Sequence, residues 1–329
     1  MGLRREFVDA HIAKWVAQLT HTYFYPHRAK WPPRLFHHTP IENAARILRS
    51  GALLSRTASE SSRVLDIADP EIVNTRDRAH DFVRLYFRPR TPTQFWIEGI
   101  RRPSEYFKGN KHAPTLIMLV FDARSILSID GVRFSDGNMQ SANTCDGDDE
   151  NFFSTIDFDR VFHEGPFNRS DPHVIVRRCA EVLAPSPLPL ENLSFIYCRS
   201  AAERDFLLYK LGDAASKWER RVLVSDDIRV FEKRYTFAEH VSLSQQGVFF
   251  ELAPRADAAP VNLDVQVKSL FGGKQYVQWG PANLATTNTA GGRRWRIDAS
   301  LPSGAYIVII RLEGCLAYEN VLFVEDDPF

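Results

Sequence analysis

The stretch Leu35-Phe36-His37-His38-Thr39-Pro40-Ile41-Glu42-Asn43, running on to Ile47-Leu48 and Gly51-Ala52-Leu53-Leu54, decides the fold class. A His and a Thr end a strand, and a helix begins just after. Thr39-Pro40-Ile41-Glu42 has the capping-box pattern, with proline at the first helical position. Ala44, Ala45, Ile47 and Leu48 continue the helical run, and Gly51 stands where a C-cap glycine is expected. A compact α+β unit follows from this order. Such a junction presents side-chain donors and a helix N-terminus to a ligand. A core His and an ordinary N-cap Thr would give the same pattern.

Outward from there, Arg4–Thr20 places Phe7, Ile12, Trp15, Val16 and Leu19 at near-helical spacing, which predicts an amphipathic helix. Pro26, Pro32 and Pro33 predict an extended connection after it. Ala58–Asp81 is polar and irregular and reads as a long functional loop. Phe82–Phe87 and Thr115–Phe121 read as strands, Asn138–Asp171 as a second long excursion, and Val174–Leu183 and Leu193–Cys198 as strands again. Ala201–Leu211 reads as a helix, with short β segments at Val222–Ser225 and Ile228–Phe231. Composition shifts near Phe237–Gln246. Beyond it, short strand candidates (Val248–Leu252, Leu263–Val267, Tyr276–Trp279, Trp295–Ala299, Ala305–Leu312, Asn320–Val324) alternate with Gly/Pro turns. That pattern predicts a small all-β sandwich. The expected domains are 1–240 and 241–329.

A length of 329 residues fits about two domains. Lys plus Arg is 41 and Asp plus Glu is 41, so the net charge is zero, which excludes a polycation but not a local basic groove. No apolar run approaches the ~20 residues of a membrane span, and the N-terminus reads as no signal peptide. Four cysteines without a C-x-x-C pair predict reduced thiols in a cytoplasmic protein. Phosphate-loop, nucleophile-elbow, zincin and Rossmann signatures are absent. His37, His38, His163, His173 and Cys179 match the spacing of no common zinc module, so no metal is expected.

Two further segments carry chemistry. His80-Asp81-Phe82-Val83-Arg84-Leu85-Tyr86-Phe87-Arg88-Pro89-Arg90-Thr91-Pro92 sets aromatics beside three arginines. Guanidinium groups bind phosphate oxygens bidentately, and aromatic faces stack on rings. The same stretch could be a strand with solvated arginines. In Val174-Ile175-Val176-Arg177-Arg178-Cys179-Ala180-Glu181-Val182-Leu183 a single acid sits inside an apolar run. A carboxylate there needs a partner or a chemical task, and a buried ion pair with a nearby arginine is the plainer account.

In this order, the three segments resemble the DarT family of nucleic-acid ADP-ribosyltransferases, over about Arg34–Phe231. Phe36–Leu54 reproduces the family's aromatic-His-x-Thr-x-Ile-x-Asn opening. His80–Pro92 follows its His-Asp-Tyr-Val-x-x-Tyr-Phe-x-Pro-Arg-Ser-Pro segment, and Ala180–Ala184 its Ala-Glu-Phe/Val-Leu-Val close. The Arg88–Thr93 variant is nearer the guanine-modifying branch than the thymidine-modifying one. The resemblance implies a split antiparallel sheet that clamps NAD as substrate. It implies contacts to NAD from His37, Thr39, Asn43, Tyr86 and Phe87, with Glu181 as the catalytic glutamate. Its catalytic arginine falls on Arg76, with Arg78 and Arg63 as alternatives. Arg88, Arg90, Phe167 and Arg178 would meet the nucleic-acid acceptor, single-stranded DNA or alternatively RNA. A toxin–antitoxin or phage-defence setting is implied too, with an antitoxin that hydrolyses the product or inhibits the toxin directly. A non-catalytic binding module working through the sandwich is the reading from a different class.

Overall fold

A computed structural model describes residues 2–60, 77–106, 112–139, 141, 143–167, 173–286 and 293–325. It divides into two compact units. One comprises Met1–Ile97, Ile117–Tyr197 and Ser225–Glu232, and the other Glu98–Leu116, Cys198–Val224 and Lys233–Phe329.

The first unit holds β1 (Arg34–Pro40), β2 (Ala52–Leu53), β3 (Val83–Tyr86), β4 (Leu116–Asp122), β5 (Arg133–Ser135), β6 (Asp146–Gly147), β7 (Glu181–Ala184), β8 (Leu188–Pro189) and β9 (Leu193–Cys198). Its main sheet runs β9-β4-β1-β3-β7-β5-β6, and β2 pairs with β8. Leu116–Phe121 of β4 is buried at every residue, as a central strand covered on both faces must be. The helix α1 (Arg5–Thr20) buries Val8, Trp15 and Leu19. The helix α2 (Ile41–Ser50) ends at Gly51, whose φ of 77° is the left-handed cap that glycine alone adopts without cost. β3 runs antiparallel between β1 and β7, in the registers Phe36↔Tyr86 and Tyr86↔Glu181.

The second unit carries the helix Ala201–Leu211, β10 (Val222–Val224) and two antiparallel sheets. One sheet is β11 (Ala238–Ser244), β12 (Gly247–Leu252) and β15 (Arg294–Asp298). The other is ordered β14 (Gln275–Leu284), β13 (Val261–Ser269), β16 (Gly304–Leu312), β17 (Cys315–Val324). Alternate residues are buried along β13 and β16, among them Leu263, Val265 and Val267, and Val308, Ile310 and Leu312. The mixed α/β first unit and the all-β sheets of the C-terminal region match the expected fold class.

Local departures have local causes. Val174–Arg177 is helical rather than extended: the Arg178 N–H donates to the Val174 carbonyl at 3.0 Å, and the strand begins only at Glu181. β1 continues to Pro40, so Thr39 is a strand residue and no side chain caps α2. Pro26–Lys30 is a 3-10 helix instead of an extended connection. Ile228–Phe231 forms no ladder. Side chains meet its carbonyls instead, Trp31 Nε1 donating to Ile228 at 2.9 Å and Gln94 Nε2 to Val230 at 2.8 Å. The excursion after Asn138 contains two short helices, Glu150–Thr155 and Phe158–Val161, N-capped by the Asp149 and Asp157 carboxylates.

Candidate active site

The register of β3 against β7 sets Tyr86 directly opposite Glu181 and Arg84 opposite Leu183. Opposed residues in an antiparallel pair share a face, so Arg84, Tyr86 and Glu181 point the same way. Arg84 spans the diagonal. Its Nε donates to Glu181 Oε2 at 2.8 Å and its Nη2 donates to Oε1, a two-point grip on the carboxylate. The Glu181 side chain is 0% exposed, against 25% for Arg84. A charged carboxylate taken fully out of water would cost several kcal/mol without such a partner. Burial pushes the Glu181 carboxyl above its ordinary range, and the guanidinium pulls against that rise. Burial lowers Arg84 in turn, but the charge of Glu181 and its hydrogen bonds outweigh it and leave the guanidinium held more firmly than usual.

The backbone of Glu181 is fixed as well. Its N–H donates to Ser135 Oγ at 3.1 Å, and that hydroxyl donates to the Gly137 carbonyl at 2.7 Å. Ser135 is fully buried.

β1 completes the face. His38 stacks on Tyr86 with ring centroids 5.2 Å apart and planes 5° from parallel. Burial, then His37 and Arg84, lowers His38 to about 3, so it is neutral across the working range. His37 Nδ1 lies 3.0 Å from the Arg84 carbonyl. A carbonyl only accepts, so Nδ1 carries the proton and Nε2 is left as an acceptor. Burial lowers His37 too and keeps it in that neutral form. Burial, then the Glu181 charge, raises the Tyr86 phenol. Neighbouring Cys179 is pushed up to about 12 by burial and the Glu181 charge, which leaves its thiol inert.

The other expected residues divide. Thr39 is buried in β1, and Asn43 is half-buried in the first turn of α2. Phe87 corrects the expectation of a nicotinamide contact. The chain leaves β3 after Tyr86, and the Phe87 ring packs edge-on against Phe158 at 5.2 Å and Phe153 at 5.9 Å, in the core beneath α1. Arg88 corrects that of a groove arginine. It is 2% exposed, donates to the carbonyls of Pro89, Val161 and His163, and lies 4.9 Å over the Trp31 ring. Arg90 pairs with Glu164, whose second oxygen meets His27 Nε2 at 2.7 Å. Arg178 and Phe167 do come together, guanidinium 4.9 Å over ring, with Arg178 Nη2 2.6 Å from His163 Nδ1 and donating to the Gly165 carbonyl at 3.1 Å. Arg76 and Arg63 lie outside the described residues, as does the side chain of Arg78. Phe153 and Phe162, which lie within the second excursion, are core residues.

The arginine that the structure sets on Glu181 is thus Arg84, which sequence reasoning grouped with the phosphate-binding cations. Period-two alternation from Tyr86 was the signal available for it. Nothing in the sequence singled out Ser135. No group of three or more His, Cys, Asp or Glu among the described residues is arranged to hold a metal, and no helix among them is long and apolar enough to cross a membrane.

A family model described as ssDNA thymidine ADP-ribosyltransferase, DarT, matches residues 36–229. The chain belongs to the DarT family. Its reaction class is therefore ADP-ribosyl transfer, and the matched span agrees with the Arg34–Phe231 of the motif resemblance. Among solved structures, Thermus sp. 2.9 DarT in complex with ADP-ribosylated ssDNA is 22% identical at a TM-score of 0.49, covering 60% of this chain and 96% of that one. Thermus sp. 2.9 DarT in complex with NAD+ is 20% identical at 0.47, covering 60% and 97%. Thermosipho africanus DarTG in complex with ADP-ribose is 19% identical at 0.46, covering 64% and 53%. No curated protein matches the chain.

Proposed function

We propose that this protein transfers ADP-ribose from NAD to a base of single-stranded DNA, with Glu181 as the catalytic carboxylate. The observation that carries this reading is Glu181 itself: buried, gripped by Arg84 and opposite Tyr86, inside the span that matches a DarT model. The residues fit a dinucleotide substrate by the acceptors they offer its ribose hydroxyls. The unprotonated His37 Nε2 is an acceptor for a ribose hydroxyl, and each Glu181 oxygen retains a lone pair beyond the one given to Arg84.

The chemistry follows from charge. The bond between the ribose C1′ and the nicotinamide nitrogen breaks with its electron pair leaving on nicotinamide, and positive charge develops on the ribose. A fixed carboxylate in a water-poor site stabilises that charge without reorganising. A ring nitrogen of the base then bonds to C1′ and gives up its proton, for which Glu181 is the acceptor. Arg84 acts through Glu181, holding it in place and ionised. The name of the matching family specifies thymidine, which speaks against the guanine branch suggested by Arg88–Thr93. We place the activity in a toxin–antitoxin or phage-defence setting in the cytoplasm, restrained by an antitoxin.

The test is transfer of label from NAD to matched DNA and RNA oligonucleotides, each with one candidate base, by the full chain and by Glu181→Gln. Label on DNA that falls at least ~100-fold in the variant supports the reading. Equal transfer by the variant would sink the assignment of Glu181, and label confined to RNA would move the acceptor.

A further inference from the structure

We propose that Tyr23 and Phe24 form a stacking platform for unpaired bases of the acceptor strand, beyond the base that is modified. This rests on the reading above that the acceptor is single-stranded. The two side chains are 90% and 70% exposed, adjacent in sequence, and their rings meet edge to face at 5.2 Å and 88°. Each therefore keeps an open face, and base stacking on such faces tolerates any sequence.

The segment carries an excess of positive charge in sequence, and Arg28 brings one guanidinium to the Phe24 carbonyl. In a chain of zero net charge, residues 10–41 contain no Asp or Glu, and they include Lys14, Arg28, Lys30 and Arg34. Of the acids on packed elements, Asp227 pairs with Lys30 at 3.4 Å and Glu164 with Arg90 and His27, while Asp159 accepts from the neutral Gln18 amide at 3.0 Å and keeps its charge. A basic, aromatic surface of this kind suits a polyanion with rings.

The platform is held in place and tied toward the catalytic residue. Arg28 Nη2 donates to Thr22 Oγ1 at 3.2 Å and to the Phe24 carbonyl at 3.4 Å, while its Nη1 donates to the Phe162 carbonyl at 3.0 Å. Tyr25 packs so closely on Gly165 that a Cβ there would lie 2.7 Å from the Tyr25 hydroxyl. Arg178 meets His163 and the Gly165 carbonyl and covers the Phe167 ring. Direct contacts thus run from the aromatic segment through Arg28, Tyr25 and Gly165 to Arg178 and Phe167, and Arg178 lies three positions before Glu181 in sequence. Tyr23 and Phe24 lie outside the span that matches the family model.

The test compares the full chain with Tyr23→Ala/Phe24→Ala, using labelled single-stranded oligonucleotides and counterparts whose flanking nucleotides are abasic. The wild-type chain should prefer the base-bearing strand by roughly 5- to 100-fold, and the double variant should lose that preference. The KM for DNA should rise by the same factor, with the KM for NAD and the rate at saturating DNA unchanged. Tyr23→Phe should behave as wild type. An equal preference in both proteins would overturn the proposal, as would a variant that changes only the oligomeric state, which would mark a protein contact. If the wild-type chain labels neither DNA nor RNA, the transferase reading fails, and the binding comparison still decides the platform.

Discussion

Replacing Arg84 by Ala removes both donors from a carboxylate that is 0% exposed. An opposite charge at this range holds a carboxylate down by about 1–3 pKa units. Burial already raises Glu181 and the guanidinium opposes that rise, so the variant's Glu181 should titrate higher than wild type. Leaving one charge of a buried pair without its partner costs about 3–5 kcal/mol while the carboxylate stays ionised. The sign is fixed by proton linkage. A carboxyl whose folded pKa lies above its unfolded value favours the folded state most below the unfolded pKa, and that contribution is lost as pH rises through the folded one. The variant should therefore lie closer to wild type in stability near pH 4 than near pH 8, as read by urea denaturation across pH. In transfer assays the acid limb of kcat/KM should move to higher pH, because Glu181 must be ionised to act. Arg84→Ala/Glu181→Gln should recover the lost stability near pH 8 and stay inactive. An acid limb that does not move, or a stability deficit independent of pH, would refute the reasoning.

Ser135→Ala leaves the Glu181 N–H buried with no acceptor from that side chain and should cost about 1–3 kcal/mol, measured as a lower denaturation midpoint at unchanged slope. His11, enclosed by Phe153 at 4.8 Å and Phe158 at 4.4 Å, is lowered to about 4 by burial and by Lys14. The unfolded chain takes a proton below about pH 6.5 that the folded state refuses, so stability should decline as pH falls from about 6.5 to about 4. His11→Phe should flatten that part of the decline; an identical slope would show that His11 does not titrate as its packing requires.

Legibility in the sequence followed the range of the interactions. The strand, helix and glycine stop of Arg34–Gly51 are set by local periodicity and the C-cap glycine, and they were readable, whereas the expected Thr39 capping box did not form. Val174–Arg177 was not, because its β-branched residues favour a strand in isolation while the observed turn of helix is closed by its own backbone bonds. Phe87 and Arg88 defeated alternation for a simpler reason. The chain leaves β3 at Tyr86, so the period of two no longer tells which way they face, and both turn into the core. The Arg84–Glu181 pair spans 97 positions in sequence, and its existence depends on the β3–β7 register. No local pattern carries that register, although alternation already placed Arg84 and Tyr86 together.

For Glu181, the ion-pair reading and the catalytic reading are parts of one arrangement. A carboxylate that is to stabilise a cationic ribose must be ionised, poorly solvated and fixed. Burial supplies the second condition and works against the first, as the raised carboxyl shows. Arg84 resolves that conflict, since a permanently charged, planar donor meets both carboxylate oxygens and leaves each with acceptor capacity to spare. Ser135 and the β3–β7 register supply the third condition by fixing the main chain at Glu181. A lysine at position 84 could neutralise the charge from one point but could not hold both oxygens in the plane of the carboxylate. The arrangement therefore requires an arginine on the face of β3 that carries Tyr86, and Arg84 fills that position.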